Sequence, residues 1–459
     1  MYQLDFKKPI NVHFVGIGGI SMSGLAQILL NEGFSVSGSD SKSSAMTERL
    51  AAAGAIIYEG QKASNITDNI DLAVYTAAIK EDDEELAEIR RRGIPLLTRA
   101  QMLGQLMSNY ETPIAVSGTH GKTTTTSLVA HILLAAGKDP TVSVGGVLKA
   151  INGNIYVGST GYFVTEACEF HDSFLDLNPK IGIILNIDDD HLDYFKTMDN
   201  VYHSFHKFAE GIPYEGTLII NSEIKDLYKV NEDLECRILY YGFDSSNDYG
   251  ATNIQFDEKA CGSFDLVCDG IFRERLSLNV PGLHNVSNAL AAIAAADTLG
   301  ISLEYIKAGL ADFDGADRRF QYKGTFNEVT VIDDYAHHPS EIKATLSAAH
   351  LYTKNPIWCI FQPHTYSRTE LLFNEFVEAL SNADHVILPE IYAARESNVH
   401  GTSAKQLEEA LKERGVDAYF IPLFPDVEKF CKENCKKGDV LITMGAGDVV
   451  NIGESLLKG

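Results

Sequence analysis

The sequence predicts an α/β protein of three domains, at residues 1–110, 111–315 and 316–459, each built on a mainly parallel sheet. Three observations predict it. A buried-strand run at 11–15 breaks into Gly16-Ile17-Gly18-Gly19-Ile20-Ser21 and resumes as a helix at 22–31. A second run, at 113–116, breaks into Ser117-Gly118-Thr119-His120-Gly121-Lys122-Thr123-Thr124 and again resumes as a helix. After residue 315, four apolar strands in a row each end in a polar loop. Strands alternating with helices give a parallel sheet covered on both faces.

In the first domain, the helix after the glycines is closed by Glu32-Gly33, and a strand at 34–38 ends in Ser39-Asp40. This is a Rossmann-like βαβ pattern, with an acid roughly 20 residues after the glycines. It predicts that a diphosphate can sit on this helix end without saying which ligand carries it. Ser21 stands where the third glycine of G-x-G-x-x-G would be. Strands at 55–58, 72–75 and 94–97 and a charged helix at 81–92 complete the domain. A helix at 101–110 is expected to form the join to the next.

The second domain opens on a phosphate cradle of the P-loop ATPase type. The usual spacing is G-x-x-x-x-G-K-[ST], but the position five before Gly121 is Val116, so the pattern is the shorter G-T-H-G-K-T. Backbone N–H groups of the turn and the positive end of the helix face the anion. Lys122 is expected to reach the outer phosphates of a nucleotide triphosphate, and the Thr123 hydroxyl to ligate Mg²⁺. A strand at 162–165 delivers Glu166-Ala167-Cys168-Glu169, and one at 181–185 delivers Asn186-Ile187-Asp188-Asp189-Asp190-His191. Ligands gather at the carboxyl ends of strands in open α/β sheets, so both clusters are expected to face the loop. Glu166 and His191 are candidate Mg²⁺ ligands there, against the plainer reading of solvated turns. Asn285 and Asn288, at the start of a helix at 286–299, have amides suited to an adenine edge, though capping alone would explain Asn285.

The third domain is read as Rossmann-like. Its strands at 329–332, 357–361, 386–388 and 440–444 run into Asp333-Asp334-Tyr335-Ala336-His337-His338-Pro339, Gln362-Pro363-His364-Thr365-Tyr366-Ser367-Arg368-Thr369, the loop from Pro389, and Gly445-Ala446-Gly447-Asp448. Four polar strand ends on one sheet edge make an active-site face.

Composition narrows the function classes. A formal net charge of -25 and a pI near 4.9 leave no electrostatic footprint for nucleic acid. Any anionic substrate must then be held by local cations and helix N-termini. Residues 10–30 are nearly free of charge, but the glycine cluster in their middle argues against a membrane span. No cationic leader precedes them, and the seven cysteines contain no C-x-x-C pair. Cys431 and Cys435, one helical turn apart, lack the further Cys or His a metal site needs. The expected location is a reducing cytoplasm, with no membrane insertion.

Taken in order, the motifs H-F-V-G-I-G-G-I-S-M-S-G, G-T-H-G-K-T-T-T, E-A-C-E, N-I-D-D-D-H-L-D-Y-F, G-L-H-N-V-S-N-A, D-D-Y-A-H-H-P, Q-P-H-T-Y-S-R-T and G-A-G-D resemble the Mur ligase family, and within it the branch that adds L-alanine to UDP-N-acetylmuramate in peptidoglycan synthesis. The resemblance runs over essentially the whole chain. It implies an ATP-dependent amide ligase using Mg²⁺, with Mn²⁺ as a substitute, acting as a monomer or homodimer. It assigns the UDP sugar to Gly16, Gly18, Gly19, Ser21, Ser23, Asp40 and Thr76. It assigns ATP to Gly118, Thr119, His120, Gly121, Lys122, Thr123 and Thr124, with His284, Asn285 and Asn288 at the adenine and Arg319 and Asp334 at the phosphates and ribose. Lys122 would stabilise the moving phosphoryl group, and Thr123, Glu166 and His191 would hold metal. His338, His364 and Arg368 would orient the incoming alanine, with the third domain closing over both substrates.

Two departures stand out: Ser21 replaces a usual glycine, and E-A-C-E-F-H-D stands where many members read E-A-D-E-S-D. Several members carry a carbamylated lysine after the metal histidine; Lys207 lies near that place and is left out of the site. A ligase that recycles a preformed peptide onto the same UDP sugar is the nearest alternative. An NAD(P)-dependent dehydrogenase would use the first glycine turn but leave Lys122 and four polar loops unexplained. A non-catalytic nucleotide-binding regulator would have no use for the Lys122, Glu166 and His191 set.

Overall fold

The computed structural model describes residues 3–458 apart from Asn152 and Arg395, and leaves the side chains of Val147 and Asp193 undescribed. The fold is three-domain α/β, with one sheet for each region read from the sequence.

The first sheet contains β1 (Asn11–Val15), β2 (Ser35–Asp40), β3 (Ile56–Glu59), β4 (Leu72–Tyr75) and β5 (Leu96–Thr98) in the order β3-β2-β1-β4-β5, all parallel. Chain order reverses between β1 and β4, which opens a crevice at their carboxyl ends. The middle of β1 is buried on both faces, as its unbroken apolar run requires, yet it includes His13. The His13 ring bonds Ser37 Oγ at 2.8 Å and Glu85 Oε1 at 3.0 Å. Glu85 is itself fully buried and also accepts from Ser39 Oγ and from Asn65 Nδ2. Buried polar groups persist when each finds a partner, and here they do.

The second sheet contains β6 (Thr112–Ser117), β7 (Thr141–Leu148), β8 (Gly153–Tyr156), β9 (Tyr162–Ala167), β10 (Ile181–Ile184), β11 (Thr217–Asn221) and β12 (Arg237–Gly242), ordered β12-β11-β10-β6-β9-β7-β8. All pairs are parallel except β7–β8. The start of β13 (Tyr249–Phe256) pairs with β12 through Tyr241 and Tyr249. β14 (Cys261–Cys268) and β15 (Ile271–Pro281) follow it in sheet order, so residues 249–281 form a meander.

The third sheet contains β16 (Gln321–Phe326), β17 (Val329–Asp334), β18 (Ile357–Phe361), β19 (His385–Leu388), β20 (Asp417–Phe420) and β21 (Val440–Met444), ordered β16-β17-β21-β18-β19-β20. Only β16 is antiparallel to its neighbour. The four strands with polar ends, β17, β21, β18 and β19, are consecutive neighbours. β21 is inserted between β17 and β18, with apolar clusters on both faces.

Two compact units result. One holds the chain to Gly250 with Cys268–Ile271 and Asn288–Gly309; the other holds Ala251–Val267, Phe272–Ser287 and the chain from Leu310. Within the first unit, one core cluster runs from Phe14 and Leu25 through Leu106 to Phe163, Phe174 and Phe205. The helix read as the join packs into this core. The helix Arg99–Met107 buries Met102, Leu106 and Met107 completely. The helix Ile20–Asn31 lies so close to β8 that a Cβ at Gly24 would collide with Ile155.

Small shifts in element bounds have local causes. The charged helix begins at Glu84, not 81, because the Asp83 side chain caps it by accepting from Glu85 N and Leu86 N. Glu166 and Asp334 lie inside β9 and β17 rather than beyond them. The helix expected at 286–299 spans Leu283–Thr298, so Asn285 falls in its first turn. Among the described residues no helix is long and apolar enough to cross a membrane.

Candidate active site

The phosphate loop leaves β6 at Ser117 and enters the helix Lys122–Ala135 through Gly121, whose φ of 84° is left-handed. A side chain is excluded there twice over. The conformation disfavours one, and a Cβ would lie 2.6 Å from Asn288 Oδ1. β6 is flanked by β9 and β10, so the clusters ending those strands border the loop, as expected. Asn186, just after β10, clamps it: Oδ1 accepts from His120 N at 2.8 Å and Nδ2 donates to His120 O at 3.0 Å. Thr119 Oγ1 accepts from Asp188 N at 2.9 Å, and His120 Nε2 lies 3.2 Å from Asp188 Oδ2. Thr123 and Thr124 are buried in the first helical turn.

Lys122 Nζ donates to Gly118 O, to Thr119 O at 3.0 Å and to Glu169 Oε2 at 2.9 Å. Burial works against the ammonium, but the charge and hydrogen bond of Glu169 outweigh it and hold the pKa above its ordinary value. Glu169 is 3 % exposed. Neither it nor Asn186 was singled out from the sequence, although both stand in the strand-end motifs. Their signal was position at a carboxyl strand end, which does not rank one polar residue above its neighbour.

Glu166 Oε1 accepts from Gly145 N at 2.6 Å, and Gly146 packs against Thr123 Cγ2. A carboxylate and a hydroxyl are the hard oxygen donors that Mg²⁺ takes, and adjacent glycines of β7 border Glu166 and the Thr123 methyl. His191, with a φ of 58°, caps the short helix Leu192–Phe195. Its ring centroid lies 4.5 Å from that of Phe170, and Nε2 is 3.6 Å from Asp190 Oδ2. Among the described residues no three His, Cys, Asp or Glu side chains gather as a metal site.

In the first sheet, Gly16, Gly19, Asp40 and Thr76 line a cleft of about 500 Å³ with Ile79 and Lys80. Asp40 Oδ2 accepts from Gly18 N at 2.8 Å, and Ser39 O receives Gly16 N and Ile17 N. Ser21 is an exposed residue of the helix, with no positive φ that would call for glycine. Ser23 departs from the expectation. It is 4 % exposed and its hydroxyl donates to Ile20 O, so it serves its own helix rather than the cleft.

The second unit arranges the remaining residues on the sheet β17-β21-β18-β19. His364, after β18, stacks on Tyr392, after β19, with centroids 5.5 Å apart. Burial, then the charge of Arg368, pushes its pKa down to about 4, so the ring is neutral near pH 7. Asp334 is buried and accepts from Phe320 N and Ala336 N, both at 2.7 Å; burial pushes its carboxyl up to about 6. It organises backbone, which corrects the picture of a carboxylate open to a ribose. His338 is 1 % exposed and caps the helix Pro339–Tyr352 by accepting from Ser340 N, a fixed structural position rather than an open one for an incoming amine. Arg319 lies 3.5 Å from Glu341 and over Tyr335. Its neighbour Arg318 is the structural bolt, bonding Asp333 Oδ2, Gly445 O and Gly447 O. Asn285 Nδ2 donates to Pro281 O at 2.8 Å, which ties the first turn of its helix back to the end of β15 and is not an N-cap bond; His284 is exposed on the same turn.

A glycine-turn cleft, then a phosphate loop with its lysine, then a further α/β sheet along the chain have the makings of a nucleotide-dependent, multidomain enzyme. Three family descriptions match the chain in order: "Mur ligase family, catalytic domain" over 11–111, "Mur ligase middle domain" over 116–296 and "Mur ligase, glutamate ligase domain" over 318–447. The chain belongs to the Mur ligase family, ATP-dependent ligases that form amide bonds. A UDP-N-acetylmuramate–L-alanine ligase of Lachnospira eligens is 54% identical over 459 residues, covering 100% of both chains. The crystal structure of the UDP-N-acetylmuramate-alanine ligase of Thermotoga maritima is similar at a TM-score of 0.79 and 31% identity, over 98% of each chain. A murein peptide ligase of Psychrobacter arcticus is similar at a TM-score of 0.69 and 28% identity, over 98% of each.

Proposed function

We propose that the protein joins L-alanine to the lactyl carboxylate of UDP-N-acetylmuramate, consuming ATP and releasing ADP and phosphate, in the cytoplasmic stage of peptidoglycan precursor synthesis. The observation that carries this reading is 54% identity over the full length of an enzyme named for that reaction. The domains are read as 1–110 for the UDP sugar, 111–315 for ATP and 316–459 for the amino acid.

The chemistry follows from a poor leaving group. An amine does not displace oxide from a carboxylate, so a carboxylate oxygen first attacks the γ-phosphorus of ATP and the bond to the ADP oxygen breaks. The amine then adds to the acyl phosphate, the tetrahedral intermediate expels phosphate, and the nitrogen gives up a proton to yield the amide. Phosphoryl transfer rewards positioning and charge neutralisation. Lys122 supplies the cation and the loop amides the cradle, while Asn186 keeps the His120 segment fixed. Thr123 and Glu166 would hold Mg²⁺, and Glu166 with His191 a second ion; bound there, such an ion would neutralise phosphate charge. His364, neutral at working pH, and Arg368 would receive the amino acid, the guanidinium pairing with its carboxylate.

The test is phosphate release from ATP and Mg²⁺ with UDP-N-acetylmuramate across single amino acids and the recycling tripeptide. Release that requires the sugar and is strongest with L-alanine is the expected result. Activity with the tripeptide alone would move the protein to the recycling branch. No release with any partner would overturn the reaction.

A further inference from the structure

An ammonium has three N–H donors and no acceptor. On Lys122 they meet three acceptor groups of the protein itself: Gly118 O, Thr119 O and the Glu169 carboxylate. The two carbonyls belong to the turn that shapes the cradle. The carboxylate belongs to the segment after β9, and its two oxygens lie 2.9 and 3.2 Å from Nζ. Both side chains are largely shielded, at 15% and 4% exposure, so this is an ion pair in a weakly screened setting.

For Lys122 to reach a phosphate oxygen, one of the three bonds must give way. The carbonyl bonds are set by loop geometry, whereas Glu169 offers the same kind of ligand a nucleotide brings, an anionic oxygen. We propose that Glu169 is an internal competitor for the phosphate chain: a positioning residue that holds Lys122 until a nucleotide of two or more phosphates displaces it, and that thereby sets nucleotide affinity. The inference rests on the phosphate-loop reading of the proposed function and goes beyond it by giving Glu169 a role and a sign. Removing an essential partner weakens binding, but removing a competitor strengthens it.

The experiment measures equilibrium binding of ATP, ADP and AMP to the full-length protein by calorimetry. Glu169→Gln is expected to tighten ATP and ADP by about tenfold, the size of effect a shielded charge pair supports, while AMP shifts less than about twofold. In a Lys122→Met background, Glu169→Gln is expected to change nothing, because the competition acts through the lysine. A purely structural Glu169 would not separate AMP from ATP in this way. Unchanged or weaker ATP binding in Glu169→Gln overturns the proposal, as does the same gain without Lys122. Should Glu169→Gln fail to fold, the Lys122→Met/Glu169→Gln pair leaves no lone buried charge; it must match Lys122→Met, and a difference sinks the idea. If the unmodified protein binds neither ATP nor ADP, the phosphate-loop reading itself falls, which is a separate result.

Discussion

The first unit contains the same device twice. In each copy a parallel strand ends in glycines and a helix begins, at Gly16–Gly19 and at Gly118–Gly121. Around the first, the side chain bonded to the turn is an acid, Asp40, which accepts from Gly18 N. Around the second it is a cation, Lys122, with Asn186 bracing the loop from β10. The strand-turn-helix backbone grammar is shared; the side chain bonded to each turn differs. A turn without a cation holds a diphosphate by amides and helix dipole. A turn with a shielded lysine can also stabilise a phosphoryl group in flight.

The largest expected effect breaks the second copy and spares the first. Lys122→Ala is expected to cut turnover by about a thousandfold, on the scale of losing a preorganised transition-state donor. UDP-sugar affinity, measured by calorimetry, should stay within about twofold. Near-normal turnover would mean the two turns do not differ as described. Next in size, Asp40→Ala is expected to raise the KM for the UDP sugar about tenfold with little change in kcat, the pattern of lost uniform binding. A fall in kcat at unchanged KM would instead assign Asp40 to the chemistry. The smallest effect sharpens the first turn. Ser21→Gly restores the family's glycine, but Ser21 is an exposed helical residue, so the sugar's KM should stay within about twofold. Stability should drop by about 0.5–1 kcal/mol for a glycine within a helix, read by denaturant midpoint. A several-fold gain in affinity would show that the serine distorts the turn.

A fourth expectation concerns pH in the other unit. His364 titrates near 4 rather than 6.5, so between those values the unfolded chain binds a proton that the folded protein refuses. Stability from this site is complete above about pH 6.5 and is lost as pH falls toward 4. The ring's NMR shift should therefore stay that of neutral imidazole down to about pH 5. A midpoint near 6.5 would contradict the burial of His364 against Tyr392.

What could be read from the sequence was whatever depends on neighbours along the chain. The strand-turn-helix punctuation placed β1, β6, β18 and β21 within a residue or two, because apolar runs and glycines report local burial and turn geometry. Side-chain partnerships across strands were not legible. That Glu169 rather than Asp188 meets Lys122, that Glu85 meets His13, and that His338 closes a helix end all depend on which strands adjoin. Arg318 and Arg319 were indistinguishable as a pair; only the positive φ of Arg318 turns it toward Gly445 and Gly447 while Arg319 faces Glu341. The short strands β16 and β20 escaped notice because their pairing partners, rather than their own residues, make them strands.

The insertion of β21 between β17 and β18 also has a consequence for synthesis. β17 can pair with β16 and β18 with β19 as they emerge from the ribosome, but the facing edges of β17 and β18 stay bare until Val440–Met444 arrives. At about 5–20 residues per second, translation from Phe361 to Val440 takes several seconds, during which apolar strand edges stand open to other chains. A premature stop before Val440 is therefore expected to leave two half-sheets prone to aggregate rather than a smaller folded protein.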